Sequence, residues 1–103
     1  MAVIVLVVDD DPDARYIVSQ FIRSQQGVDA VLHAADGVEA IEIMRRESPR
    51  VVITDLMMPR LDGLQTTRLI REEWPDTRIV VITSLGDKSY EQDAYAYGAD
   101  AFL

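Results

Sequence analysis

The chain has 103 residues, 49% of them apolar, a net charge of −8 and no cysteine. That length makes one small domain, and the missing cysteine excludes disulfides and thiolate metal sites, which fits a cytoplasmic protein. The negative charge argues against direct binding of nucleic acid, and no apolar run approaches the roughly 18 to 20 residues of a membrane span.

Met1 to Val8 is apolar but has no basic start and no cleavage site, so it reads as a first strand and not as a signal peptide. Asp11-Pro12 then opens a helix, with Asp as N-cap and Pro at the first helical position. Ile17, Val18, Phe21 and Ile22 form its expected apolar stripe, and Gly27 stops it. Asp29 to Ala34 predicts a short second strand, with His33, the one histidine, as a partly exposed edge residue. Asp36 with Glu39 resembles a capping box for the second helix, which Ser48-Pro49 ends. A third strand starts at Val51 and runs to Asp55. Asp62 caps a third helix, which Pro75 breaks near Trp74. Arg78 to Thr83 predicts a fourth strand. Asp87 is expected to cap a fourth helix carrying Tyr90, Tyr95 and Tyr97, at least one of them in the core, and Gly98 ends it. Ala101 to Leu103 predicts the start of a fifth strand. Arg15, Arg60, Arg68 and Arg71 are read as solvated charges.

Strands alternating with helices indicate the α/β class. The Val- and Ile-rich runs lack polar alternation, as strands buried on both faces of a parallel sheet do. Parallel strands share one carboxyl edge, where ligands of open α/β sheets bind. The first run ends in Asp9-Asp10, the third in Asp55 and the fourth in Thr83-Ser84. A switch point between strands one and three gives a flavodoxin-like doubly wound sheet of order 2-1-3-4-5. Helix one covers one face and helices two, three and four the other. A fifth helix beside helix one has no residues left to form it, so the domain reads as truncated at its C-terminus.

Asp9, Asp10 and Asp55 are thus expected to converge. At about 5 Å and an effective dielectric near 20, each pair of carboxylates repels by roughly 3 kcal/mol. Folding tolerates this if one group keeps its proton or if a hard cation joins them. Oxygen ligands on a shallow edge suit Mg²⁺ or Mn²⁺. Asp55 precedes Leu-Met-Met-Pro, which is no helix start, so a site role is favoured over a cap. It is placed to attack phosphorus and carry an acyl phosphate, with Thr83 donating to the phosphoryl oxygens.

The pattern of Asp9-Asp10 after an apolar strand, then Asp55-Leu-Met-Met58-Pro59-Arg-Leu-Asp62-Gly63, then Ile82-Thr83-Ser84, then Gly98-Ala99-Asp-Ala-Phe102 resembles the receiver domain of bacterial two-component response regulators. The resemblance spans essentially the whole chain. It implies a phosphoacceptor switch, not a turnover enzyme, taking a phosphoryl group onto Asp55 from the phosphohistidine of a sensor histidine kinase or phosphotransfer protein. It implies Mg²⁺ held by Asp10, Asp55 and the backbone carbonyl of Met57, with Asp9 helping through water. It implies phosphoryl oxygens bound by Thr83 and Ser84. Thr83 and Phe102 would move together as a switch pair and reshape the helix-four and strand-five surface.

Two departures stand out. The Lys-Pro that receivers carry at the end of strand five would fall two residues beyond Leu103, and the one lysine, Lys88, is elsewhere. The absent helix would bury about four large apolar side chains, or about 6 to 12 kcal/mol. A homodimer or domain swap would supply that cover. Two other readings compete: a degenerate receiver acting only in protein contact, and a haloacid-dehalogenase-type phosphatase using Asp9 and Asp11.

Overall fold

Every expected strand forms within a residue or two of its predicted ends. The computed structural model describes residues 3–58, 60–83 and 88–103. Their order is β1 (Ile4–Val8), α1 (Pro12–Arg23), β2 (Ala30–Ala34), α2 (Gly37–Glu47), β3 (Val51–Asp55), α3 (Gly63–Glu73), β4 (Arg78–Ile82), α4 (Glu91–Ala96) and β5 (Ala101–Phe102). The five strands make one parallel sheet of order β2-β1-β3-β4-β5. No described helix is long and apolar enough to cross a membrane.

Period-two alternation sorts the strand residues between two cores. Leu6, Val8, Val52, Ile79 and Val81 face one way and pack with Ala40, Ile43, Met44, Ile70 and Ala94 of α2, α3 and α4. Val5, Val7, Val31 and Ile53 face the other way and meet Val18 and Ile22 of α1. Among the described residues, one face therefore has three helices and the other has one. This is the lopsided cover expected from the sequence.

The caps follow the sequence closely. Asp11 accepts from the Asp13 N–H with Pro12 at the first helical position, and Asp36 accepts from the Glu39 N–H. The full reciprocal capping box forms at Asp62 and Gln65. Gly98 has φ +112 and turns the chain after α4. Asp87 lies outside the described residues. Tyr90 occupies the N-cap position of α4 and makes no side-chain capping bond.

Two packing expectations are corrected. Of the α1 stripe, only Val18 and Ile22 reach the sheet. Ile17 and Phe21, a helical turn apart, are 68% and 66% exposed, because no described element lies beside that stripe. Tyr90, Tyr95 and Tyr97 are all exposed. A six-residue helix turns only a narrow face inward, and Ala94 is what it buries.

Arg71 is a tertiary tie and not a solvated charge. Its Nε and Nη2 donate to the Gly98 carbonyl at 3.0 and 2.8 Å, and Nη1 donates to the carbonyls of Pro75 and Thr77 at 2.7 and 2.8 Å. Nη2 also reaches Asp100 Oδ2 at 2.7 Å, and that oxygen accepts from the Ile79 N–H. One guanidinium thus fastens α3 to β4 and to the segment entering β5. This matters because β5 is only two residues long.

Candidate functional site

Register determines which side chains meet at the carboxyl edge. Val8 stands opposite Thr54, so the next residue on each strand, Asp9 and Asp55, leaves the sheet side by side. Asp55 stands opposite Ile82, and Thr83 follows one residue beyond. Oxygens of Asp9, Asp10 and Asp55 all lie within 4.8 Å of one another. The expected convergence of the three acids is therefore present.

Local hydrogen bonds aim each group. The Asp9 N–H donates to the Ala34 carbonyl at 3.1 Å, and Asp9 Oδ1 accepts from the Asp11 N–H at 2.9 Å. Asp10 is exposed. Asp55 Oδ1 accepts from the Leu56 N–H at 2.9 Å, and the Thr54 hydroxyl donates to the Asp55 carbonyl at 3.0 Å. Met57 is 65% exposed on the loop that follows. Gly63, at the start of α3, presses on this loop. Its N–H donates to the Leu56 carbonyl at 2.8 Å. A Cβ at that position would lie 2.1 Å from the Asp55 carbonyl oxygen.

The electrostatics are those of an anionic cluster in partial burial. Burial first, and then the charge of Asp9, push the Asp55 carboxyl up to about 6. Asp9 is also raised, by burial first and by the charges of Asp10 and Asp11, against the lowering pull of the Asp11 N–H and of Arg15. Arg15 Nη1 donates to the Asp9 carbonyl at 2.7 Å. Sequence reasoning treated Arg15 as solvated. The available signal was its place in the first turns of α1, because helical side chains lean toward the N-terminus, here the acid edge.

The remaining predicted residues divide. Thr83 is half-buried, and its N–H donates to the Leu103 carbonyl at 3.0 Å. Phe102 is buried, pairs in register with Val81 and packs in the larger core. Ser84 lies outside the described residues. Asp11 is turned to its own helix as a cap, so it does not supply the second acid of an Asp-x-Asp phosphatase site. His33 is exposed on the edge strand, 3.4 Å from the Ser19 hydroxyl, as expected of an edge residue.

Comparison with known proteins decides the family. A family model for the response regulator receiver domain matches residues 5–103. The chain belongs to this receiver family. It is 39% identical over 103 residues to "Response regulator MprA" of Mycobacterium sp., covering all of this chain and 44% of that protein. It is 38% identical over 97 residues to "Protein-glutamate methylesterase/protein-glutamine glutaminase 4" of Myxococcus xanthus, covering 94% of this chain and 27% of that one. The receiver thus spans less than half the length of these relatives. Among solved structures, the response regulator domain of Thermotoga maritima CheB superposes with TM-score 0.89 at 33% identity, covering all of this chain and 78% of that one. Chemotaxis response regulator CheY4 of Vibrio cholerae gives TM-score 0.87 at 30% identity, covering all of this chain and 86% of that one. The receiver fold and its place in two-component signalling are thereby established for this chain.

Proposed function

We propose that this receiver is a phosphoacceptor switch in the cytoplasm. An Asp55 carboxylate oxygen attacks the phosphorus of a phosphohistidine on a sensor histidine kinase or phosphotransfer protein. A new O–P bond forms, the P–N bond breaks, and its electron pair returns to the imidazole nitrogen. The observation that carries this reading is the crowding of three carboxylates, whose oxygens lie within 4.8 Å of one another, with Asp55 half-buried among them.

The donor set fits a hard divalent cation. Asp9 and Asp55, both pushed toward protonation by burial and by neighbouring acids, make the kind of anionic cluster that Mg²⁺ or Mn²⁺ relieves. Asp9, Asp10 and Asp55 would hold it, with the Met57 carbonyl as a further oxygen. When bound, the cation neutralises the site and shields the incoming phosphoryl charge.

The chain's own groups do the rest. Asp55 must be ionised to attack, and the Leu56 N–H on its Oδ1 leaves the other oxygen for phosphorus. Thr83 and Ser84 would donate their hydroxyls to the phosphoryl oxygens. Thr83 is tied through its N–H to Leu103, next to the buried Phe102. A shift of Thr83 would therefore pull on β5, which supports reading Thr83 and Phe102 as the switch pair acting on the α4–β5 surface. Such a switch works through protein contacts.

The test is mass measurement after incubation with acetyl phosphate and Mg²⁺. The intact chain is expected to gain one phosphoryl group and Asp55→Asn none, while Asp9→Asn still gains it slowly. Labelling that persists in Asp55→Asn would overturn the assignment. The exposed pair Ile17 and Phe21 supports a second expectation, that a second copy of this chain covers α1, as a side-by-side or swapped homodimer. Sedimentation equilibrium should show the dimer for these 103 residues, and Phe21→Glu should dissociate it. A monomer at all concentrations rules it out.

A further inference from the structure

The loop from β3 to α3 carries Met57 and is held from outside by an ion pair. Arg60 Nε and Nη2 both donate to Asp36 Oδ2, at 2.9 and 2.5 Å. The Asp36 side chain is only 11% exposed. Its other oxygen, Oδ1, accepts from the Glu39 N–H at 2.9 Å and caps α2. One carboxylate therefore serves two elements, a helix start and a loop far from it in sequence.

The backbone shows how firmly this contact is imposed. Arg60 has φ +67, the left-handed region, which disfavours an L side chain. Glycine would take that conformation freely, so an arginine there needs a compensating contact, and the fork on Asp36 supplies one. Close packing marks the same junction. A Cβ at Gly37, the first residue of α2, would fall 2.6 Å from the Leu61 carbonyl oxygen and 2.1 Å from Thr66 Oγ1. The start of α2 thus touches the loop at Leu61 and grips it at Arg60.

We propose that Arg60 is a positioning residue: its fork onto Asp36 clamps the β3–α3 loop against α2 and so sets where the Met57 carbonyl lies. The loop begins at Asp55 and ends at Gly63, whose N–H is bonded back to Leu56. Its two ends are fixed by main-chain contacts, and Arg60 fixes the stretch between them. The consequence for metal and phosphoryl chemistry rests on the function proposed above, whereas the ordering of the loop does not.

The test uses Arg60→Gly, which keeps the backbone conformation accessible and removes the fork. It is paired with Asp36→Asn, which keeps an oxygen for the Glu39 N–H and removes the charge. Amide hydrogen exchange of metal-free protein is expected to rise about 10-fold at the amides of residues 56–58 and 60–63 in each variant while β1 and β3 are unchanged. Calorimetric Mg²⁺ affinity is expected to fall about 10-fold. The double variant should be no worse than either single one, because both remove the same interaction. Additive effects, or unaltered exchange at those amides, would overturn the clamp. Should Asp36→Asn fail to fold, Arg60→Gly decides alone through the exchange pattern. If the unsubstituted chain accepts no phosphoryl group, the proposed function fails and the exchange result still decides the clamp. If it accepts one and Arg60→Gly matches it in exchange and in Mg²⁺ affinity, the clamp alone fails.

Discussion

Asp55→Asn is expected to make the metal-free protein more stable at pH 8, by about 1 to 2 kcal/mol, and to leave it little changed at pH 4. In the unfolded chain this carboxyl loses its proton near its ordinary value of 3.8, and in the folded protein near 6. Between those values the folded state holds the extra proton. The contribution of Asp55 to stability is therefore intact below 3.8 and declines as pH rises through 6. For a fully enclosed group such a displacement corresponds to about 3 kcal/mol. Screening at a half-exposed carboxylate reduces that to the smaller figure. Asparagine removes the charge and keeps an oxygen for the Leu56 N–H. Saturating Mg²⁺ should reverse the order, since a cation at about 100 times its dissociation constant adds about 2.7 kcal/mol to the native protein alone. Denaturant titrations of both chains across pH, with and without Mg²⁺, check this. Parallel pH profiles would mean that Asp55 does not feel its neighbours.

Gly63→Ala should cost about 3 kcal/mol and suppress phosphoryl transfer, the largest stability loss expected from a single added methyl group. The new Cβ would sit 2.1 Å from the Asp55 carbonyl oxygen and 2.9 Å from the Leu56 Cα. Both are backbone, so no side chain can swing aside. Either α3 withdraws or the end of β3 bends, and in both cases the Asp55 carboxylate leaves its partners. Gly27→Ala is the control. Its φ is +94, but nothing lies within 4 Å of the added carbon, so only the backbone penalty of about 1 kcal/mol applies. Urea midpoints for the two variants, with acetyl phosphate labelling, separate a steric cause from a conformational one. Equal losses would remove the close-approach argument.

What could be read from the sequence was whatever depends on near neighbours or on strand direction. Asp11-Pro12 and Asp62 act as caps because a helix start needs an acceptor within three residues. Asp9, Asp10 and Asp55 meet because parallel strands share an edge, a property of topology that needs no distances. What stayed hidden depends on the partner across a gap. Arg71, Arg60 and Arg15 each look like ordinary surface cations, and each is tied to a carbonyl or carboxylate supplied by another segment. Ile17 and Phe21 have the spacing of a core stripe, yet a helix turns only part of its apolar surface to the sheet. Gly63 entered the sequence reading as part of the loop pattern shared with receivers, whereas its role is to let a helix approach the main chain of Asp55.

Trp74 ends α3 beside Pro49 and beside Val3, Val51 and Arg78, where β1, β3 and β4 begin. The acids stand where those strands finish, so β3 separates the indole from the carboxylates by about 13 Å. The chain carries a single tryptophan, and it sits at the pole opposite the acid cluster. Its emission can then monitor folding, while the proposed ion loading and phosphorylation at the acids are expected to leave it unchanged, so one cuvette can keep the two equilibria optically apart.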